Sequence, residues 1–92
     1  MLNPLPTTWE EYSLQLGQRL REARLDRGLT QEELAHRAGI TRTHYQQVER
    51  GAWKQGAVSN PSIRVLARLA QALDVELSEL LPSNRDLRWV AE

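Results

Sequence analysis

The chain has 92 residues, enough for one domain, and its 12 basic and 12 acidic residues sum to zero net charge. It has no Cys, so a disulfide framework and a Cys-based zinc site are excluded, and its apolar runs are too short to span a bilayer. A zero total weighs against a nucleic-acid partner, but residues 37–68 hold Arg37, Arg42, Arg50, Lys54, Arg64 and Arg68 against Glu49 alone, six minus one or +5.

The apolar set is Leu, Val, Ile and Ala with no Phe, and strong β-formers are sparse, which predicts an all-α domain. The opening "MLNPLPTTWEEY" lacks the basic start and apolar stretch of a leader, so the expected location is cytoplasmic. Thr8-Trp9-Glu10-Glu11 reads as a capping box that starts a first helix. Leu14, Leu16, Leu20, Ala23 and Leu25 supply its apolar stripe to about Arg27, and Gly28 is placed to close it in a left-handed conformation. Thr30-Gln31-Glu32-Glu33 repeats the box, and a short helix follows with Leu34, Ala35 and Ala38 inward, stopped by Gly39. Thr41 caps a third helix, about Arg42 to Arg50, with Tyr45 and Val48 inward. Arg42, Thr43, Gln46, Gln47 and Arg50 fall largely on its outer face. "GAWKQGAVSN", from Gly51 to Asn60, reads as a loop. Asn60 as cap and Pro61 as first helical residue predict a fourth helix with Ile63, Val65, Leu66, Leu69, Ala70 and Leu73 inward. A brief fifth helix is expected near Glu76 to Leu81, ended by Pro82. The tail has no strong pattern.

The second and third helices are joined for close packing. Ala35 is small, Gly39 permits the positive φ of a tight turn, and Tyr45 and Val48 clamp the third helix to the core. What remains outside is a convex, polar, basic rod of a size that enters the major groove of B-DNA. Arg42 can give two parallel hydrogen bonds to guanine or stay solvated. Gln47 can pair with adenine or face water. Thr43 can touch a thymine methyl or continue the cap, and His44 and Gln46, at the flank, can reach phosphate or base. Neither His36 nor His44 has ligand-spaced partners for a metal. No nucleophile has a base positioned by sequence logic, which argues against an enzyme.

The text "LGQRLREARLDRGLTQEELAHRAGITRTHYQQVERG" followed by "NPSIRVLARLAQALDVELSELL" resembles the lambda-repressor-like, or Xre/Cro, helix-turn-helix family over about Leu16 to Leu81. The resemblance implies a compact five-helix domain over 14–81, with an extension and the start of helix 1 at 1–13 and a tail at 82–92. It implies a transcriptional regulator that binds double-stranded DNA as a homodimer on a near-palindromic operator, without a cofactor. Base contacts are then expected from Arg42, Thr43, Gln47, Gln46 and His44. Phosphate contacts are expected from Gln31, Thr41, Arg50 and Lys54, and a structural ion pair between Arg24 and Glu49.

The chain departs from the family pattern in a longer Gly51–Pro61 connection, in Asp74 where Gly is usual, and in Glu76 at a usual Ser/Thr cap. Trp53 in the long connection either packs on the domain or wedges against the sugar-phosphate backbone. Trp9, Tyr12 and Trp89 either cover the core of their own molecule or meet a second copy. The expected dimer surface is the fifth helix and tail: Leu77, Leu80, Leu81, Leu87, Trp89 and Val90. A protein-interaction module that kept the fold, with a protein partner in place of DNA, is the alternative.

Overall fold

The computed structural model of the chain describes residues 4–54 and 57–89, with backbone alone at 52–54 and 57. Its helices are α1 (Trp9–Asp26), α2 (Gln31–Ala38), α3 (Arg42–Arg50), α4 (Ile63–Leu73) and α5 (Leu77–Leu80). Two short strands, β1 (Ala52–Lys54) and β2 (Ala57–Val58), lie between α3 and α4. The class is all-α, with the strands as a small appendage to five helices.

Side-chain oxygens start the longer helices by satisfying amides that have no partner inside the helix. Thr30 Oγ1 accepts the Glu33 N–H at 3.0 Å and Glu33 Oε1 accepts the Thr30 N–H at 2.9 Å, a complete capping box. Thr8 Oγ1 accepts the Glu11 N–H at 3.1 Å, but Glu11 Oε2 takes the Thr7 N–H at 2.8 Å, one residue earlier than a capping box requires. After α1 the Leu29 N–H returns to the Arg24 carbonyl at 3.1 Å, across Gly28 at φ +67°. Asp74 closes α4 at φ +56° despite its Cβ, and the Arg27 guanidinium donates to its carbonyl at 3.3 Å.

Asn60 and Pro61 do not begin α4. Its cap is Ser62, whose Oγ accepts the Val65 N–H at 3.1 Å. The reason lies upstream, where the expected loop is an antiparallel ribbon with Ala52 opposite Val58. Ser59 N–H then donates to the Gly51 carbonyl at 2.9 Å, and Ser59 O accepts from Ser13 Oγ at 3.0 Å. The chain therefore leaves the ribbon extended and tied to α1, and it needs Asn60 and Pro61 to turn before a helix can start.

Leu16, Leu20, Leu34, Ala35, Tyr45, Val48, Leu66, Leu69, Leu73 and Leu80 form the body of the core. Of the expected α1 stripe, Leu16 and Leu20 are in the core and Ala23 packs against it. The buried face of α1 is Ser13, Leu16, Gly17, Leu20 and Arg24, while Leu14 and Leu25 are exposed. This face is set by a close backbone crossing of α1 over α3. A Cβ on Gly17 would lie 2.0 Å from the Glu49 carbonyl oxygen, so only a residue without a side chain fits.

The two ends of the described chain meet. Arg88 N–H donates to the Thr7 carbonyl at 2.9 Å, Trp9 stacks on Tyr12 at 5.1 Å, and Trp89 lies 6.2 Å from Trp9. Of the residues expected at a dimer surface, Leu80 is in the core of its own molecule and Leu77 and Leu81 pack partly against it. Burying Leu80 closes α5 against the bundle, which removes it from any outward contact. Trp89 stays largely exposed, and Val90 lies outside the described residues.

Candidate nucleic-acid interface

Gly39 ends α2 at φ +72°, ψ +30°, and the Ile40 N–H donates back to the Ala35 carbonyl at 3.0 Å. A side chain at that φ would press its Cβ against the backbone, so glycine is the residue that turns the chain in so few steps. Thr41 Oγ1 then accepts the His44 N–H at 3.0 Å and starts α3. The two helices meet with Leu34, Ala35, Ala38, Tyr45 and Val48 buried between them and the rest of the core.

The outward flank of α3 carries no acid. Thr41, Arg42, Thr43 and Arg50 are exposed, and His44, Gln46 and Gln47 are half-buried. Arg42 borders a shallow cleft with Thr30, Gln31, Glu32 and Arg24. His44 and Gln47 border another with Val58, Ser59, Asn60 and Pro61. A third hollow, about 550 Å³, brings Arg50 together with Arg21, Arg24, Gln31, Gln46 and Glu49. The side chain of Lys54, like that of Trp53, lies outside the described residues.

Arg21 and Asn60 share these clefts but were not among the candidates from sequence. Arg21 lies on α1, and only the crossing of α1 over α3 brings it beside Arg50. Asn60 was assigned to a helix cap, which hid its place beside Gln47.

Behind this flank stands a buried polar group. Arg24 Nη2 lies 2.9 Å from Glu49 Oε1, Arg24 Nε donates to the same oxygen at 3.2 Å, and Arg24 Nη1 donates to the Leu29 carbonyl at 2.9 Å. The pair joins α1 to α3, and each side chain is at least nine-tenths covered. Gln31, first residue of α2, donates from Nε2 to Glu49 Oε2 and accepts from Gln46 Nε2 at 3.2 Å. Three helices are thus cross-linked directly beneath the exposed face. Such a group fixes geometry more than it adds net stability, because desolvating both charges offsets much of their attraction.

Tyr45 is fully buried, and its hydroxyl makes no hydrogen bond of normal geometry. Burial first, and the charge of Glu49 second, push its pKa well above the ordinary phenol value, so it stays protonated. Among the described residues no cluster of His, Asp or Glu could hold a metal ion, and no helix is long and apolar enough to cross a membrane.

Comparison with known proteins places this geometry. Residues 20–80 match the helix-turn-helix family model HTH_3. The transcriptional regulator SinR of Bacillus subtilis is 30% identical over 74 residues, which cover 80% of this chain and 62% of SinR. The restriction-modification controller protein C.AhdI of Aeromonas hydrophila superposes with a TM-score of 0.65 at 43% identity, covering 74% of this chain and 94% of that one. SinR crystallised in complex with DNA superposes at 0.60 with 31% identity, covering 71% and 95%. The fold, the tight turn before α3 and these matches together show that the chain belongs to the lambda-repressor-like helix-turn-helix family, a family of DNA-binding transcriptional regulators rather than enzymes.

Proposed function

We propose that the chain is a sequence-specific regulator that binds double-stranded DNA with α3 in the major groove and works in the cytoplasm on its own operator. The observation that carries this is the flank of α3: exposed, polar and basic, with every apolar residue of the helix turned to the core. A helix about 10–12 Å across with its side chains fits a groove about 12 Å wide, and the nine residues of α3 give roughly 13 Å of length to lie in it. Arg42, Thr43, Gln47, Gln46 and His44 face base edges in this reading. Gln31, Thr41, Arg50 and Lys54 lie along the phosphates, and Arg21 joins them from α1. Phosphate contacts supply most of the affinity and base contacts the choice of sequence.

Two copies bind two half-sites of a near-palindrome, about 34–36 Å apart, so that each α3 enters one face of the duplex. The dimer contact is drawn from α5 and the tail, where Leu77, Leu81, Leu87 and Trp89 remain at or near the surface. The DNA complex of SinR supports the mode of binding by likeness.

Selection from random duplex, followed by binding at low and moderate salt, tests this. Enriched paired half-sites with steep salt dependence are expected. Arg42→Ala should relax the preference at one position by about 1–3 kcal/mol, whereas Lys54→Ala should weaken all sites alike and flatten the salt slope. Micromolar protein without salt-sensitive binding would contradict the proposal and favour a protein partner instead.

A further inference from the structure

We propose that Glu49 is a positioning residue for base choice: through Gln31 it holds the Gln46 amide with its oxygen outward, so that this position of α3 selects an amino-bearing base edge. The inference rests on the major-groove reading above and adds a rule for one position of the site.

The chain of reasoning begins at a charge. A carboxylate only accepts hydrogen bonds. Glu49 Oε1 is occupied by Arg24 Nε and Nη2, at 3.2 and 2.9 Å, and Oε2 is occupied by Gln31 Nε2. A glutamine amide has a donor end and an acceptor end, so Gln31, with its nitrogen on Glu49, must turn Oε1 the other way. That oxygen meets Gln46 Nε2 at 3.2 Å. Flipping Gln46 would set two amide oxygens against each other, and flipping Gln31 would set its oxygen against the carboxylate. Both glutamines are therefore fixed in one sense by the buried ion pair behind them.

An unrestrained glutamine offers either end to a base. Gln46 has committed one of its two Nε2–H bonds to Gln31, which turns the nitrogen toward α2 and leaves the oxygen as the amide's acceptor end. Gln46 is half-exposed on the flank of α3, so in the major-groove reading that oxygen is an acceptor within reach of a base edge. In the major groove it complements adenine N6 and cytosine N4, and it opposes the oxygens of guanine O6 and thymine O4. Arg24 and Glu49 touch no base, yet the polarity of their contact is transmitted through two amides to the surface.

The test compares selected sites for the full-length chain, Gln46→Ala and Gln31→Leu, with helix content checked for each. The wild type should show one position per half-site with about a fivefold preference for A or C over G or T, the size of a single good hydrogen bond. Gln46→Ala should abolish it there. Gln31→Leu keeps the Arg24–Glu49 pair but frees the amide; it should weaken all sites alike through the lost phosphate contact and, at this one position, cut the preference to about twofold or less. A Gln46-dependent position that prefers G or T, or a Gln31→Leu profile identical to wild type, would overturn the relay alone.

Side-chain amide NMR of the free wild-type protein supplies a readout independent of DNA and of any variant. One slowly exchanging, shifted Nε2 proton on Gln46 is expected, and two protons at ordinary shifts that both exchange freely with water would overturn the relay. Failure of the wild type to select any sequence, with the Gln46 signal as expected, would instead defeat the DNA-binding reading.

Discussion

Replacing Gly17 by Ala should destabilise the protein, against the trend for a glycine inside a helix. Helix propensity alone favours Ala by about 1 kcal/mol. The structure opposes it, because the new Cβ would lie 2.0 Å from the Glu49 carbonyl oxygen, 2.8 Å from its carbon and 3.1 Å from the Val48 oxygen. All three atoms are backbone of α3 and cannot rotate away. A normal carbon–oxygen contact is about 3.3 Å, so the helices must part by more than roughly 1 Å at the crossing. Separation loosens Leu16 and Leu20 from Tyr45 and Val48 and stretches the Arg24–Glu49 bonds. Overpacking of this kind costs about 1–3 kcal/mol, and a weakened ion pair adds to it. After the propensity gain, a net loss of about 2 kcal/mol is expected, a fall in Tm of about 8–16 °C for a domain this size. Urea and thermal unfolding followed by circular dichroism measure it. A Gly17→Ala protein as stable as wild type, or more so, would refute the close crossing and with it the placement of Glu49.

Other perturbations probe neighbouring parts of the structure. Glu49→Ala leaves the buried Arg24 without its counter-charge and should cost about 3–5 kcal/mol by urea unfolding; a loss under about 1 kcal/mol would mean the pair is solvated. Tyr45→Phe removes a buried hydroxyl that makes no normal hydrogen bond, so stability should hold or rise by up to about 1 kcal/mol, and a clear loss would reveal a partner for that oxygen. Glu33 is held below the ordinary glutamate value by the Thr30 N–H, then by the Thr30 hydroxyl. The unfolded chain thus binds this proton at higher pH than the folded one, and the contribution present above the ordinary value is lost as pH falls through the folded value. Carboxyl NMR should find Glu33 titrating below that ordinary value, and a value at or above it would contradict the capping box.

Much of the fold was legible because its signals are local. Thr30 with Glu33, Thr41 before Arg42, and Gly39 between two helices each act within four residues, and each appears in the structure where the chain pattern places it. Pairings between distant segments were not legible. The ribbon of β1 and β2 is too short for an alternating pattern, and without it Asn60 looked a better cap than Ser62. The true face of α1 was obscured because Ser13, Gly17 and Arg24 are buried by what they meet: the Ser59 carbonyl, the α3 backbone and Glu49. Hydrophobicity marks Leu14 and Leu25 instead. The outward side chains of α3 follow from helical spacing. The links from Glu49 to Gln31 and from Gln31 to Gln46 depend on the angle between α2 and α3, which no periodicity encodes.

The most direct measurement is an NMR titration of the labelled protein with a duplex recovered by selection. Backbone amides from Thr41 to Arg50, together with those of Gln31 and Arg21, should shift most, and those of Trp9, Tyr12 and Trp89 less. Shifts centred on the aromatic cluster, with α3 unperturbed, would contradict the claim that this helix is the surface that meets DNA.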